Sequence, residues 1–238
     1  MAKKPVLLKD KIEVVYDENR WSLLRHLRDK AKLVMEALSA RGLHCVVHGS
    51  VARGDVHSKS DVDVVIPFVV SSFVVESALL DRGLHIVEKT IVQATPYHVI
   101  KAHIALSNDV IVTFPLVAFK KTEREFYKFG GEIDLSELQS GKRVPGVDKR
   151  LILIIPTDRG HLEQSILGLE GEVSRLLRIS LSTVEERKRV LLRRDDIGRT
   201  GVFLKVQVPI DESFEKMLKE MADRNPAVRK TLLDRQTR

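Results

Sequence analysis

The stretch that most constrains this chain is residues 45–66, where two apolar runs flank a glycine-serine turn and a pair of aspartates. Cys45-Val46-Val47 reads as a short buried strand. It stops at Gly49-Ser50, and glycine lets a backbone come close to a ligand. After a short loop, a second strand carries Asp61 and Asp63 among Val62, Val64 and Val65. Residues two apart on a strand project from one face. Both carboxylates are therefore expected to point one way, toward the glycine-serine turn. Two charges on so apolar a strand need compensation by a metal or by bases. Paired hard oxygen donors suit Mg2+ (or Mn2+), and a turn with amides beside them suits phosphate. The combination describes a site for a metal-bound nucleoside triphosphate. A plain surface hairpin with solvated aspartates would leave the alternation with valine unexplained.

Gly49-Ser50, then Arg53-Gly54, then Asp61-x-Asp63 in an apolar strand resembles the pattern of the nucleotidyltransferase superfamily, which includes DNA polymerase beta, the CCA-adding enzymes and the minimal nucleotidyltransferases. The resemblance implies that Gly49 and Ser50 bind the triphosphate, that Arg53 supports its phosphates, and that Asp61 and Asp63 are the catalytic metal ligands. It also implies a third catalytic carboxylate on a neighbouring strand. In the archaeal CCA-adding pattern that position falls on Thr113, just before Phe114-Pro115. Asp109, in the adjoining turn, is the expected third catalytic residue only if the register slips, and a slip of one residue reverses the facing. Glu132 and Asp134 are remoter candidates.

The chain has 238 residues, enough for one large domain or two modest ones. A formal net charge of +7 leans toward an anionic partner such as nucleic acid. The single cysteine, Cys45, rules out an internal disulfide and fits a reducing cytoplasm. No apolar run is long enough to span a bilayer, and Met-Ala-Lys-Lys-Pro lacks the apolar segment of a signal peptide. Cytoplasmic localisation is the expectation. Sparse Asn and Gln beside abundant Lys, Arg and Glu fit a thermophile.

Periodicity and turn signals predict a helix over 18–40, closed by Gly42, and another over 71–82. Strands are expected over 84–87, 90–92, 98–106, 110–117 and 151–155, with a turn at Ser107-Asn108-Asp109. Pro156-Thr157-Asp158 is expected to open a helix reaching about Leu167. The fold class is therefore α+β, a mixed sheet flanked by helices. Two domains are expected: a core over 1–156 and a mainly helical unit over 157–238. Within the latter, residues 172–190 look like a helix-turn-helix, with Val173, Leu177 and Val184 inward and Ser182 capping the second helix. Residues 200–206 would be its wing. Arg187, Lys188, Arg193, Arg194 and Arg199 would meet phosphates of a nucleic acid. Arg178 stands where glycine is usual in such a turn, and Arg187 where an apolar residue is usual. A plain helical bundle with a solvated charged face explains the same pattern. Helices are also expected over 211–223 and from Pro226, as packing elements.

His98 and His103 are an odd number of residues apart in one expected strand, a poor zinc pair. His48 and His57 flank the glycine-serine turn and are expected in structural roles. The functional expectation is a metal-dependent nucleotidyltransferase passing a nucleoside monophosphate from an NTP to a hydroxyl, on RNA or DNA. Alternatives are a non-catalytic nucleic-acid-binding protein on the same core, or a transferase modifying a small molecule or a partner protein.

Overall fold

The computed structural model describes residues 11–197 and 201–236. In chain order they form β1 (Ile12–Val15), α1 (Glu18–Ser39), β2 (Val46–His48), α2 (Ser50–Arg53), β3 (Val62–Val65), α3 (Ser72–Leu80), β4 (Ile86–Gln93), β5 (Ile100–Leu106), β6 (Val110–Pro115), α4 (Lys121–Phe129), β7 (Glu132–Asp134), α5 (Leu135–Gln139), β8 (Gly146–Val147), β9 (Ile152–Thr157), β10 (Gly160–Ser165), α6 (Glu170–Leu177), α7 (Leu181–Ile197), β11 (Leu204–Val208), α8 (Phe214–Arg224) and α9 (Pro226–Gln236). The α+β class is as expected. The described residues fall into two compact units, each assembled from separate segments of chain. One comprises Met1–Asp29, Val47–Ser60 and Arg124–Thr200; the other comprises Lys30–Val46, Asp61–Glu123 and Gly201–Arg238. The boundary expected after residue 156 lies inside β9, so a division into amino- and carboxyl-terminal domains does not describe these units.

The second unit is built on strands in the order β11-β4-β5-β6-β3, parallel only between β3 and β6. Its two faces differ sharply. Val62, Val64, Val110, Val112, Phe114, Ala102, Ile104 and Ile91 share one face and are buried. Helices cover that face: the Phe114 and Phe214 rings meet edge to face at 5.6 Å. Lys89 reaches Glu76 of α3 at 2.9 Å and the Ile210 and Glu212 carbonyls, and Gln93 donates to Thr231 of α9 at 3.2 Å. A charge buried this deeply needs such a full set of acceptors. In register on the opposite face stand Asp63, Ile111, Thr113, Lys101, His103, Glu88, Thr90, Lys205 and Gln207.

Two expectations are corrected here. Residues 86–93 form one strand, not two, because β5 offers a continuous partner. The expected wing strand is β11, which pairs with β4 from Leu204 opposite Gln93 to Val208 opposite Lys89. It is an edge strand of this sheet and not a wing. Ser213 caps α8, accepting from the Lys216 amide.

In the first unit, β1, β10, β9 and β8 make an antiparallel sheet. The helix expected over 156–167 is instead the β9–β10 hairpin. Pairing of β10 with β9 on one side and β1 on the other decides this. A Cβ on Gly160 would lie 1.9 Å from the Val14 carbonyl oxygen, so only glycine fits. The core gathers Phe129, Val147, Leu151, Leu153, Ile166, Val173, Leu177, Ile179, Val184 and Leu191. Val173, Leu177 and Val184 thus point inward, as expected of the α6–α7 pair. Arg178 takes the left-handed conformation, φ 52, that glycine would take without cost. The helix α7 starts at Leu181, so Ser182 is not its cap. Glu125 instead collects the Ser180 amide at 3.0 Å, the Ser180 hydroxyl and the Thr183 hydroxyl at 2.6 Å.

Candidate active site

The glycine-serine turn belongs to the first unit. Gly49 has φ 80, and the Ala52 and Arg53 amides close onto its carbonyl at 3.1 and 3.0 Å. The Ser50 and Val51 amides precede that first closing bond and have no partner within the turn. A Cβ on Gly49 would meet nothing within 4 Å, so the space in front of the turn is open while the backbone itself demands glycine. The Ser50 hydroxyl donates to the Ser60 hydroxyl at 3.2 Å. Ser60 also accepts from the His57 amide at 3.0 Å. The loop between thus returns Ser60, the residue bonded to Asp61, to the side of Ser50.

The aspartates belong to the second unit. Asp61 lies one residue ahead of β3 and is exposed, Asp63 is half-buried, and Val62 and Val64 are 1% and 0% exposed. That alternation puts the Asp63 carboxylate on the face away from α3, α8 and α9. Two such oxygen donors fit Mg2+, which is ordinarily held by one or two carboxylates and completed by water and substrate phosphates. Among the described residues no three His, Cys, Asp or Glu side chains form a metal-ligand group.

Residues 28–144 match the family model described as nucleotidyltransferase domain. This segment is thus similar to a nucleotidyltransferase domain. Comparisons with curated proteins and with solved structures found no match. Gly49, Ser50, Asp61 and Asp63 all lie inside the matched segment.

Within the matched segment β6, where the third carboxylate was expected, carries no acidic residue. Asp63 stands opposite Ile111, which is not acidic, and Val65 opposite Thr113. Asp109 sits in the turn with φ 64, exposed, its carboxylate 3.3 Å from Lys30. Glu132 takes two hydrogen bonds from Arg124, at 2.6 and 2.8 Å. Asp134 caps α5, and the Glu137 amide and Ser136 hydroxyl hold its carboxyl below the usual range. Both of these carboxylates have structural work in the first unit.

Arg53 also departs from expectation. It is 5% exposed and gives its guanidinium to Asp55 and to the Gly130 carbonyl. It braces the turn and does not present itself to phosphate. His48 packs against the Phe126 and Tyr127 rings, with centroids 5.9 and 5.0 Å away, and the His57 ring accepts from the Lys59 amide, both structural as expected.

The basic residues of α7 divide. Arg187 lies over the Phe126 ring at 4.7 Å, and burial pulls its pKa down to about 10. It packs like the apolar residue usual at that position. Lys188 pairs with Glu170 and Glu185 at 2.8 and 3.0 Å. Arg193 and Arg194 are exposed, and Arg199 lies outside the described residues. No described helix is long and apolar enough to cross a membrane.

One further group on this face has no signal in the motif itself. His103, half-buried on β5, shares a 2.8 Å hydrogen bond between its Nδ1 and the Thr113 hydroxyl. Burial, then Lys101 and Lys205, pull its pKa down to about 4. His98 precedes β5 and bonds Thr95. The alternation of β5 already put His103 on one face, but only the strand order shows that this is the face of Asp63.

Proposed function

We propose that this chain is a metal-dependent nucleotidyltransferase that moves a nucleoside monophosphate from an NTP to a hydroxyl on nucleic acid. The observation that carries this reading is the Asp61–Asp63 pair, alternating with buried valines at the head of β3 inside a matched nucleotidyltransferase domain. Asp61 and Asp63 would hold Mg2+ (or Mn2+) that arrives with the triphosphate. A divalent ion there supplies Lewis acidity at the phosphoryl oxygens and lowers the pKa of a bound hydroxyl. Ser50, through its hydroxyl and amide, and the open backbone of Gly49 would receive the phosphate tail. The net charge of +7 and the exposed Arg193 and Arg194 support nucleic acid as the acceptor.

A second reading, binding of nucleic acid without turnover, is favoured by one observation: Ile111 and Thr113 put no acid beside Asp63. One experiment separates the readings. The chain is incubated with labelled NTPs, Mg2+ and a panel of RNA, DNA and protein acceptors, and NTP binding is followed by calorimetry. Label is expected on RNA or DNA. Asp61→Asn and Asp63→Asn should abolish both labelling and Mg2+-dependent NTP binding while leaving the unfolding midpoint unchanged. Binding that survives both substitutions sinks the proposal. Binding without label favours the second reading, and label on protein alone moves the acceptor.

A further inference from the structure

Transfer to a hydroxyl requires something to take its proton, and the face that carries Asp63 holds a group able to do so. Strand order and register place His103 two strands from Asp63: Asp63 faces Ile111, Ile111 faces Ala105, and His103 is two residues along β5. With strands about 4.8 Å apart and about 3.4 Å per residue, the two Cα atoms are about 12 Å apart. Thr113, between them on β6, is short and 4% exposed. The His103 imidazole meets its hydroxyl there. His103 is not a third metal ligand, since no such group forms among the described residues.

Resting on the nucleotidyltransferase reading, we propose that His103 accepts the proton of the attacking hydroxyl and that Thr113 positions its ring. This role needs, of the two tautomers the contact allows, the one in which Nδ1–H donates to the Thr113 hydroxyl oxygen, leaving the Nε2 lone pair for the substrate. The acceptor hydroxyl gives its proton to Nε2. The electron pair so released forms the bond from oxygen to the α-phosphorus. The bond from that phosphorus to the bridging oxygen breaks, and pyrophosphate leaves with its electrons. His103 then yields the proton to water.

The surroundings suit this role. On its own strand His103 has Lys101 as neighbour, with Lys205 on β11, Glu88 and Thr90 on β4, Thr113 on β6 and Asp63 on β3. The Thr90 hydroxyl is bonded to Glu88 at 3.0 Å. The two lysines and burial keep the imidazole neutral well below pH 7, with a pKa of about 4. Its proton affinity is then that of an ordinary aspartate, about 3.9. A histidine with the basicity of a carboxylate stands near a position where the β6 face supplies no carboxylate.

The test uses the full chain, the NTP and acceptor that give label above, and four variants. His103→Asn should lower kcat about 10²- to 10⁴-fold, with KM and Kd for the NTP within about threefold of the parent. Added imidazole should restore part of the rate to His103→Gly. Thr113→Val should cost about 10- to 100-fold in kcat, and Thr113→Ser should recover most of it. Near-normal kcat in His103→Asn, or loss of NTP binding in step with loss of rate, overturns the assignment while the transferase reading stands. If the parent chain binds NTP but labels nothing, the transferase reading fails, and nitrogen NMR of the imidazole still decides the geometry. The Nδ1–H tautomer is expected, and an Nε2–H tautomer overturns the proposal.

Discussion

Arg53 grips Asp55 with two parallel hydrogen bonds, Nε to Oδ1 and Nη2 to Oδ2, each 2.9 Å long. Both side chains are at least nine-tenths buried, and Nη1 adds a bond to the Gly130 carbonyl. Removing one partner of such a pair strands a charge away from water. Arg53→Ala should therefore cost about 3–5 kcal/mol in urea unfolding. Arg53→Lys should recover little, because an ammonium cannot reproduce the fork. Full stability with impaired NTP binding would instead return Arg53 to a phosphate-binding role.

Asp109 should prove dispensable. Its carboxylate is 90% exposed and its ion pair with Lys30 lies at the surface, where such pairs contribute about 0–1 kcal/mol. Asparagine tolerates the left-handed backbone at this turn. Asp109→Asn should keep turnover within about threefold of the parent in the labelling assay. A hundredfold loss would make Asp109 the proton acceptor and remove His103 from the mechanism.

Glu123 and Arg235 tie α9 to the start of α4. Two hydrogen bonds of 2.7 and 2.8 Å join them, and Glu123 also accepts from the Lys120 and Val99 amides. Burial alone would raise the Glu123 pKa, but Arg235 and the two amides outweigh it and hold the carboxyl below its usual range. A depressed folded-state pKa means that the unfolded chain takes up the proton first. The contribution is fully present above the unfolded value, about pH 4.3. It is lost as pH falls through the lower folded value. Glu123→Gln should be less stable at neutral pH and should lose less on acidification, read as urea midpoints across that interval. An unchanged slope would contradict the assignment. Other depressed carboxyls, Glu163 and Glu215 among them, leave the variant a residual slope.

The α7 arginines should separate into two kinds. Arg193→Glu with Arg194→Glu should weaken binding to a single-stranded RNA without moving the unfolding midpoint. The double substitution should also flatten the salt dependence of binding, by about 0.7 for each phosphate that is no longer neutralised. Arg187→Ala should do the reverse, lowering stability because the Phe126 ring is left uncovered. Equal effects on RNA binding from both sets would mean that Arg187 touches nucleic acid after all.

Much of the local structure was legible in the chain. The helix over 18–39 and the β5–β6 hairpin with its turn follow from periodicity and turn chemistry, which act within a few residues. So does the facing of Asp63, because a period of two is a property of the strand itself. Expectation failed where distant chain decided. Residues 156–167 carry a helix-start signal, yet pairing with β1 makes them a hairpin. Residues 204–208 read as strand in any setting, but that they border β4 is a matter of which edge lay open. Arg53 and Arg187 look like surface cations in one dimension; burial against Asp55 and Phe126 gives them other work.

The sequence by itself determined that Asp63 faces away from Val62 and Val64 and that a glycine-serine turn stands near it in the chain, since both depend on local backbone geometry. Only the tertiary structure decided what else shares that face. Strand order brought Thr113 and His103 alongside and left no acid on β6, because neighbours across a sheet are chosen by the packing of segments far apart in the chain.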